Sequence, residues 1–206
     1  MKILITFSLL FAILGYRSTA HAEESVPAIT PSATPIGTQS PVPSPSPGVV
    51  LQSVPHFKAE TISKQAFDFP KDLKMPTAIL NIGFTKSSQK AVLQCGKLLE
   101  DDFKGLVFSA AELEGVPFFI KGIVKNGIRG TIAESLQSRF LVFFEGKKEL
   151  KQLLKFEEQA EDDAYVAVLK STLESPSEYH LVFSGRCTGD QGLDQKLRRD
   201  LLERVK

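Results

Sequence analysis

The chain has 206 residues, with 25 Lys and Arg against 24 Asp and Glu, three His, two Cys and no Trp. So even a charge balance gives no field to draw the chain onto nucleic acid. Three histidines and two cysteines that do not cluster leave no ligand set for a zinc or transition-metal site, and no cofactor is expected.

Lys2 is a minimal positive start, residues 3–14 are apolar apart from Thr6 and Ser8, and Ala20-His21-Ala22 is a small-x-small cleavage site. Residues 1–22 therefore read as a cleaved secretory signal peptide, because the run falls short of the ~20 residues of a spanning helix. The expected location is periplasmic or secreted. Residues 23–50 contain Pro27, Pro31, Pro35, Pro41, Pro43, Pro45 and Pro47 among Ser and Thr. Such a segment buries too little apolar surface to offset its chain entropy and reads as a disordered linker, extended where Pro alternates. A tether is its first reading, and a ligand for an aromatic groove its alternative.

Residues 51–206 are the length of one domain. Residues 57–69 alternate around Ser63-Lys64, which predicts a short edge hairpin. Residues 77–84 form a continuous apolar run, the pattern of a central strand covered on both faces. Over 87–103, Val92, Cys95, Leu98, Leu99 and Phe103 fall at helical spacing, with Ser87 or Ser88 as the N-cap. A second strand is predicted over 105–109. A helix then opens at Pro117 and runs to about Gln137, with Gly122, Gly127 and Gly130 able to break it. A third strand over 139–145 and a short helix over 147–156 follow. Strands over 164–170 and 180–184, joined at 174–177, predict a terminal hairpin, and 193–205 a closing helix. The fold class is α/β, a central mixed sheet flanked by helices with an N-terminal β-hairpin extension.

This order resembles the thioredoxin-like superfamily in its peroxiredoxin form. Val54-Pro55-His56-Phe57-Lys58-Ala59 looks like the entry of those domains, and Pro76-Thr77 like the opening of their central strand. Peroxiredoxins carry their nucleophile in a Pro-x-x-x-Thr-x-x-Cys loop. Here that pattern becomes Asn81-x-x-x-Thr85-x-x-Ser88, and a Cys-x-x-Cys pair would fall on Ser88 and Ala91. The resemblance thus implies a degenerate active-site loop at Thr85, Ser87 and Ser88, without the thiolate that either chemistry needs. A serine there stays protonated and has no adjacent base to activate it. The loop that carries a cis-proline in such domains maps to Glu161-Asp162-Asp163-Ala164, so Asp163 and Ala164 form the opposing loop, and its acidic run would repel thiolate substrates. Glu114-Gly115-Val116-Pro117, the glycine-studded helix to Gly130, residues 164–169 and Gly185-Arg186-Cys187 are similar to the mitochondrial ATP synthase assembly-factor family and its bacterial thioredoxin-like relatives. That likeness implies a chaperone or assembly role without redox chemistry.

Other residues add candidates. Cys95 and Cys187 are an even count in an oxidising compartment, and both a disulfide and two buried thiols fit. Lys121, Lys125 and Arg129 recur every four residues, either as a solvated face or as a basic docking face for an anionic membrane or acidic partner. Glu157, Glu158, Glu161, Asp162 and Asp163 lack the spacing of a calcium loop and read as solvated. Arg186 is a candidate anion or partner contact near Ser88, while Thr188 or Asp190 reads as a helix cap. The expected function is an exported, redox-inactive thioredoxin-like domain that binds a protein client. It has no catalytic residue, no metal and no nucleic-acid partner, and a membrane surface is a second partner. The alternative is a peroxiredoxin-like or thiol-disulfide oxidoreductase activity that uses Cys95 and Cys187.

Overall fold

The computed structural model describes residues 52–172, 175–189 and 195–206. The expected signal peptide and linker lie outside the described residues, as do the tip of the terminal hairpin and the start of the closing helix. Eight strands form one mixed sheet: β1 (Gln52–Ser53), β2 (Phe57–Thr61), β3 (Ala66–Phe69), β4 (Thr77–Gly83), β5 (Val107–Glu112), β6 (Phe140–Phe143), β7 (Ala164–Ser171) and β8 (Tyr179–Cys187). Their order is β1-β8-β7-β4-β5-β6-β2-β3. The helices are α1 (Gln89–Asp102), α2 (Phe118–Arg129), α3 (Lys147–Leu153) and α4 (Gln195–Val205).

β4 is parallel to β5 and β5 to β6, whereas β7 runs antiparallel to β4 and β8 antiparallel to β7. A β-α-β unit followed by an antiparallel hairpin and a closing helix is the thioredoxin-like arrangement, and the fold class is α/β as expected. The period of two along each strand divides the core. Ala78, Leu80 and Ile82 of β4 join Tyr165 and Leu169 of β7, and this layer holds Leu150 and Leu153 of α3. Ile79 joins Val166 and Val168 on the opposite face, where α1 and α4 contribute Cys95, Leu99, Leu197 and Leu201. A strand covered on both faces has no polar side to offer, which is why β4 reads as an unbroken apolar run.

The hairpin turns at Lys64 and pairs Phe57 with Phe69, then joins the sheet through β6. Several boundaries differ from the sequence reading, and three of them shape the site. β5 starts two residues later and runs on to Glu112, because Gly105 lies in a turn with φ +82° and pairing to β4 begins only at Val107. The second helix stops at Arg129, where the Thr131 hydroxyl takes the Ile128 carbonyl, and a 3-10 turn over Glu134–Arg139 replaces its expected continuation. β8 extends to Cys187, which places that residue opposite Ala164 within the sheet.

That extension brings the two cysteines together. Cys95 and Cys187 form a disulfide with their Cα atoms 6.3 Å apart, and both are buried. The bridge ties the middle of α1 to the end of β8 across 92 residues of sequence. Chain-entropy arithmetic for a loop of that length gives ~4.5 kcal/mol of stabilisation. We expect the Cys95→Ala/Cys187→Ala variant to lose about 4 kcal/mol in urea unfolding. A loss under about 1 kcal/mol would show that the bridge adds nothing to the fold.

Candidate functional site

The parallel strands β4 and β5 end on the same side of the sheet, and the chain leaving β4 turns there into α1. Gly83 is required at this exit: a Cβ would overlap the Ser88 hydroxyl and the Val92 side chain. Ser88 is fully buried. Its Oγ donates to the Thr85 carbonyl at 2.9 Å and accepts from the Thr85 N–H at 3.3 Å. The Thr85 hydroxyl in turn accepts the Ser88 N–H at 3.1 Å and donates to the Glu161 carbonyl at 2.8 Å, and Ser87 Oγ lies 2.9 Å from it. Ser88 therefore does not cap α1 with its side chain, contrary to the sequence reading. Its helical backbone angles turn the hydroxyl back into the loop, and Thr85 takes up the free N–H instead.

The Thr85–Glu161 bond sets the opposing loop beside the site loop. The Tyr165 hydroxyl accepts the Glu157 N–H at 2.9 Å, and Phe156 packs edge-on against Phe84 with centroids 5.2 Å apart. Asp163 and Glu157 share Arg186, at 3.7 and 3.3 Å. The Arg186 guanidinium thus faces two carboxylates of the opposing loop. At its exposure the pairs are worth at most about 1 kcal/mol.

A groove of about 650 Å³ opens between the start of α1, the ends of β4 and β5, and α2. Its walls are mostly apolar and include Phe84, Val92, Leu113, Val116, Ile120 and Val124. Neither cysteine lines it. The disulfide is packed with Leu197 and Leu201 beneath α1.

Glu112 lines this groove and was not among the residues singled out in the sequence. Glu112 ends β5 and is 6% exposed. Its Oε1 accepts the Glu114 N–H, and Lys147 Nζ stands 2.9 Å from Oε2 as an ion pair without hydrogen-bond alignment. Burial holds this carboxyl above the usual carboxylate range, outweighing Lys147 and the Glu114 N–H, which pull the other way. Lys147 is fixed in turn. Its backbone N–H donates to Glu114 Oε2 at 2.8 Å, and it opens α3 directly after Gly146, whose φ is +82°. A Cβ at Gly146 would overlap the Phe57 ring. The sequence did carry a signal for Glu112: ligands of α/β sheets gather at the carboxyl ends of parallel strands. A strand ended at Ser109 concealed it.

The three cations of α2 are not equivalent. Lys125 pairs with Glu60 at 2.6 Å, and Lys121 holds its ammonium 4.8 Å from the Phe144 ring centroid. Arg129 Nε donates to Gln137 at 3.0 Å. Phe118, Phe119 and Ile123 of this helix are exposed, whereas Lys121 and Lys125 are half-buried. Among the described residues, no group of three His, Cys, Asp or Glu is placed to hold a metal ion.

No protein-family model matches the sequence, and comparison with curated proteins returns no match. Solved structures similar to it include the pneumococcal exposed lipoprotein thioredoxin from Streptococcus pneumoniae, with 12% identity, TM-score 0.43, and 73% of this chain and 100% of that one covered. A putative thiol:disulfide interchange protein DsbE from Chlorobium tepidum has 10% identity and TM-score 0.47, with coverages of 76% and 97%. A yeast mitochondrial 1-Cys peroxiredoxin has 15% identity and TM-score 0.44, with coverages of 74% and 73%. At such identities and scores the likeness carries no argument about chemistry.

The Glu112 carboxyl keeps its proton to higher pH in the folded chain than in the unfolded one, where its ordinary value is 4.5. The folded state is therefore relieved of a buried charge below both values and bears it in full above them. Glu112→Gln should melt above the parent at pH 7, and the gain should fade as pH drops through the raised value towards 4.5. A variant that melts lower at pH 7 would mean that the Lys147 pair outweighs desolvation.

Proposed function

We propose that this chain is an exported, redox-inactive domain that seats a protein client in the groove at the ends of β4 and β5, as a chaperone or assembly module. The observation that carries this reading is the state of the site loop. A thioredoxin-like scaffold with redox function presents a thiolate there. Here Ser88 is buried with its hydroxyl occupied by Thr85, and the two cysteine sulfurs are joined beneath α1, outside the groove. What remains at the surface is a mostly apolar trough that includes the buried Glu112 carboxyl and its partner Lys147, a layout suited to binding and orientation. Export rests on the charged start, apolar run and small-residue cleavage site. An assembly role rests on the stretches that resemble the ATP synthase assembly factors. The competing oxidoreductase reading requires a partner thiol to reach Cys95 or Cys187, which are 0% and 3% exposed.

The test pairs a binding assay with a turnover assay. An extended, apolar, cysteine-free peptide carrying a fluorophore should bind the chain. Val116→Glu, a half-buried wall position, should weaken that binding by ~tenfold or more while leaving the melting temperature nearly unchanged. The same preparation should neither reduce insulin nor consume hydroperoxide above the rate of free thiol. Turnover that disappears in Cys95→Ser would replace the binding reading with the oxidoreductase one. Peptide binding that Val116→Glu leaves untouched would move the client off the groove.

A further inference from the structure

Large side chains exposed on a folded domain are informative when they adjoin one another. Among the described residues four large hydrophobics are exposed, and three lie within one turn and a half of α2: Phe118 at 86%, Phe119 at 67% and Ile123 at 71%. The helix has two apolar stripes. Ile120, Val124 and Ile128 line the groove, and the outward stripe has no partner among the described residues. At 100° per residue, Phe119 and Ile123 fall beside Gly127 and Ile120 on the groove edge, and Lys121 and Lys125 on the other edge.

The charge on this helix identifies what covers the stripe. α2 contains Lys121, Lys125 and Arg129 and no Asp or Glu. Lys125 is paired with Glu60, and a second copy of the same face would set Lys121 and Arg129 against their own copies, which opposes self-association. Cations flanking an exposed aromatic and aliphatic wedge match a layer that is apolar in depth and anionic at its surface. Among the described residues no helix is long and apolar enough to cross a membrane, so such contact is peripheral. We propose that α2 docks on an anionic lipid surface. Phe118, Phe119 and Ile123 sit at the boundary of headgroups and acyl chains, and Lys121 and Arg129 supply the positive charge at the headgroups, Lys125 being held by Glu60. The basic face expected from the sequence thus acts as the rim of an apolar wedge. This inference is independent of the groove and its client.

The chain contains no Trp, so Phe119→Trp installs a single local reporter. It reads α2 alone, even if the apolar run over 3–14 also meets lipid. With vesicles of phosphatidylglycerol and phosphatidylcholine, emission should shift to shorter wavelength, become quenchable by brominated acyl chains, and revert as salt is raised. Pure phosphatidylcholine vesicles should leave it unchanged. Leu202→Trp, the fourth exposed position, should stay unshifted throughout. Adding Phe118→Ser and Ile123→Ser should cut vesicle partitioning of the reporter by ~tenfold or more. The proposal is overturned if a cooperatively melting Phe119→Trp chain shows no shift on anionic vesicles. It is equally overturned if the shift is complete before lipid is added, which would mean that another protein segment covers the stripe.

Discussion

Everything at the candidate site hangs from the exit of β4. This strand is clamped by two different core layers, with Ala78, Leu80 and Ile82 on one side and Ile79 on the other. A slip of one residue would exchange the two sets, so the register is fixed by burial on both faces. That fixed register delivers Gly83 to the one place where the chain can pass under Ser88 and Val92. The position of Thr85, the direction of α1 and the mouth of the groove all follow from that crossing. Asn81, two residues earlier, is held by the same geometry: its amide donates to the Val92 carbonyl at 2.8 Å and to Ser109 Oγ at 3.2 Å.

The two halves of the site are governed by different physics. At the head of α1, short hydroxyl bonds close the loop on itself and leave no free nucleophile. Across the groove, burial disfavours the charged form of Glu112, and Lys147 favours it. A buried carboxylate of this kind is held only where the fold around it is rigid. The Glu114 and Lys147 backbone contacts, which join β5 to the start of α3, supply that rigidity. Selectivity for a client would come from this pair, because apolar walls alone discriminate weakly.

Much of the fold was legible in the sequence because periodicity reports burial. The unbroken run of β4, the heptad-like spacing of α1 and the alternating hairpin each point to one environment. The site was less legible. Whether Ser88 caps a helix or bonds its own loop depends on its backbone angles, which the residue type leaves open. Glu112 was hidden by a strand end set three residues short. α2 defeats periodicity for another reason: it is apolar on two sides, so no pattern tells which stripe the sheet takes. The cysteine pairing depended on how far β8 runs, a matter of strand register and not of spacing along the chain.

Gly146 gives the groove a remote handle. The glycine is pressed against Phe57, the first residue of the hairpin, and Glu145 accepts the neighbouring Lys58 N–H at 3.1 Å. The next residue is Lys147, the counter-ion of Glu112. The added hairpin and the charge state of the groove therefore share one hinge point. A sequence change that moves Phe57 would bear on Gly146 and, one residue on, on the lysine that faces Glu112. The edge hairpin thus braces the start of α3, and with it one wall of the groove.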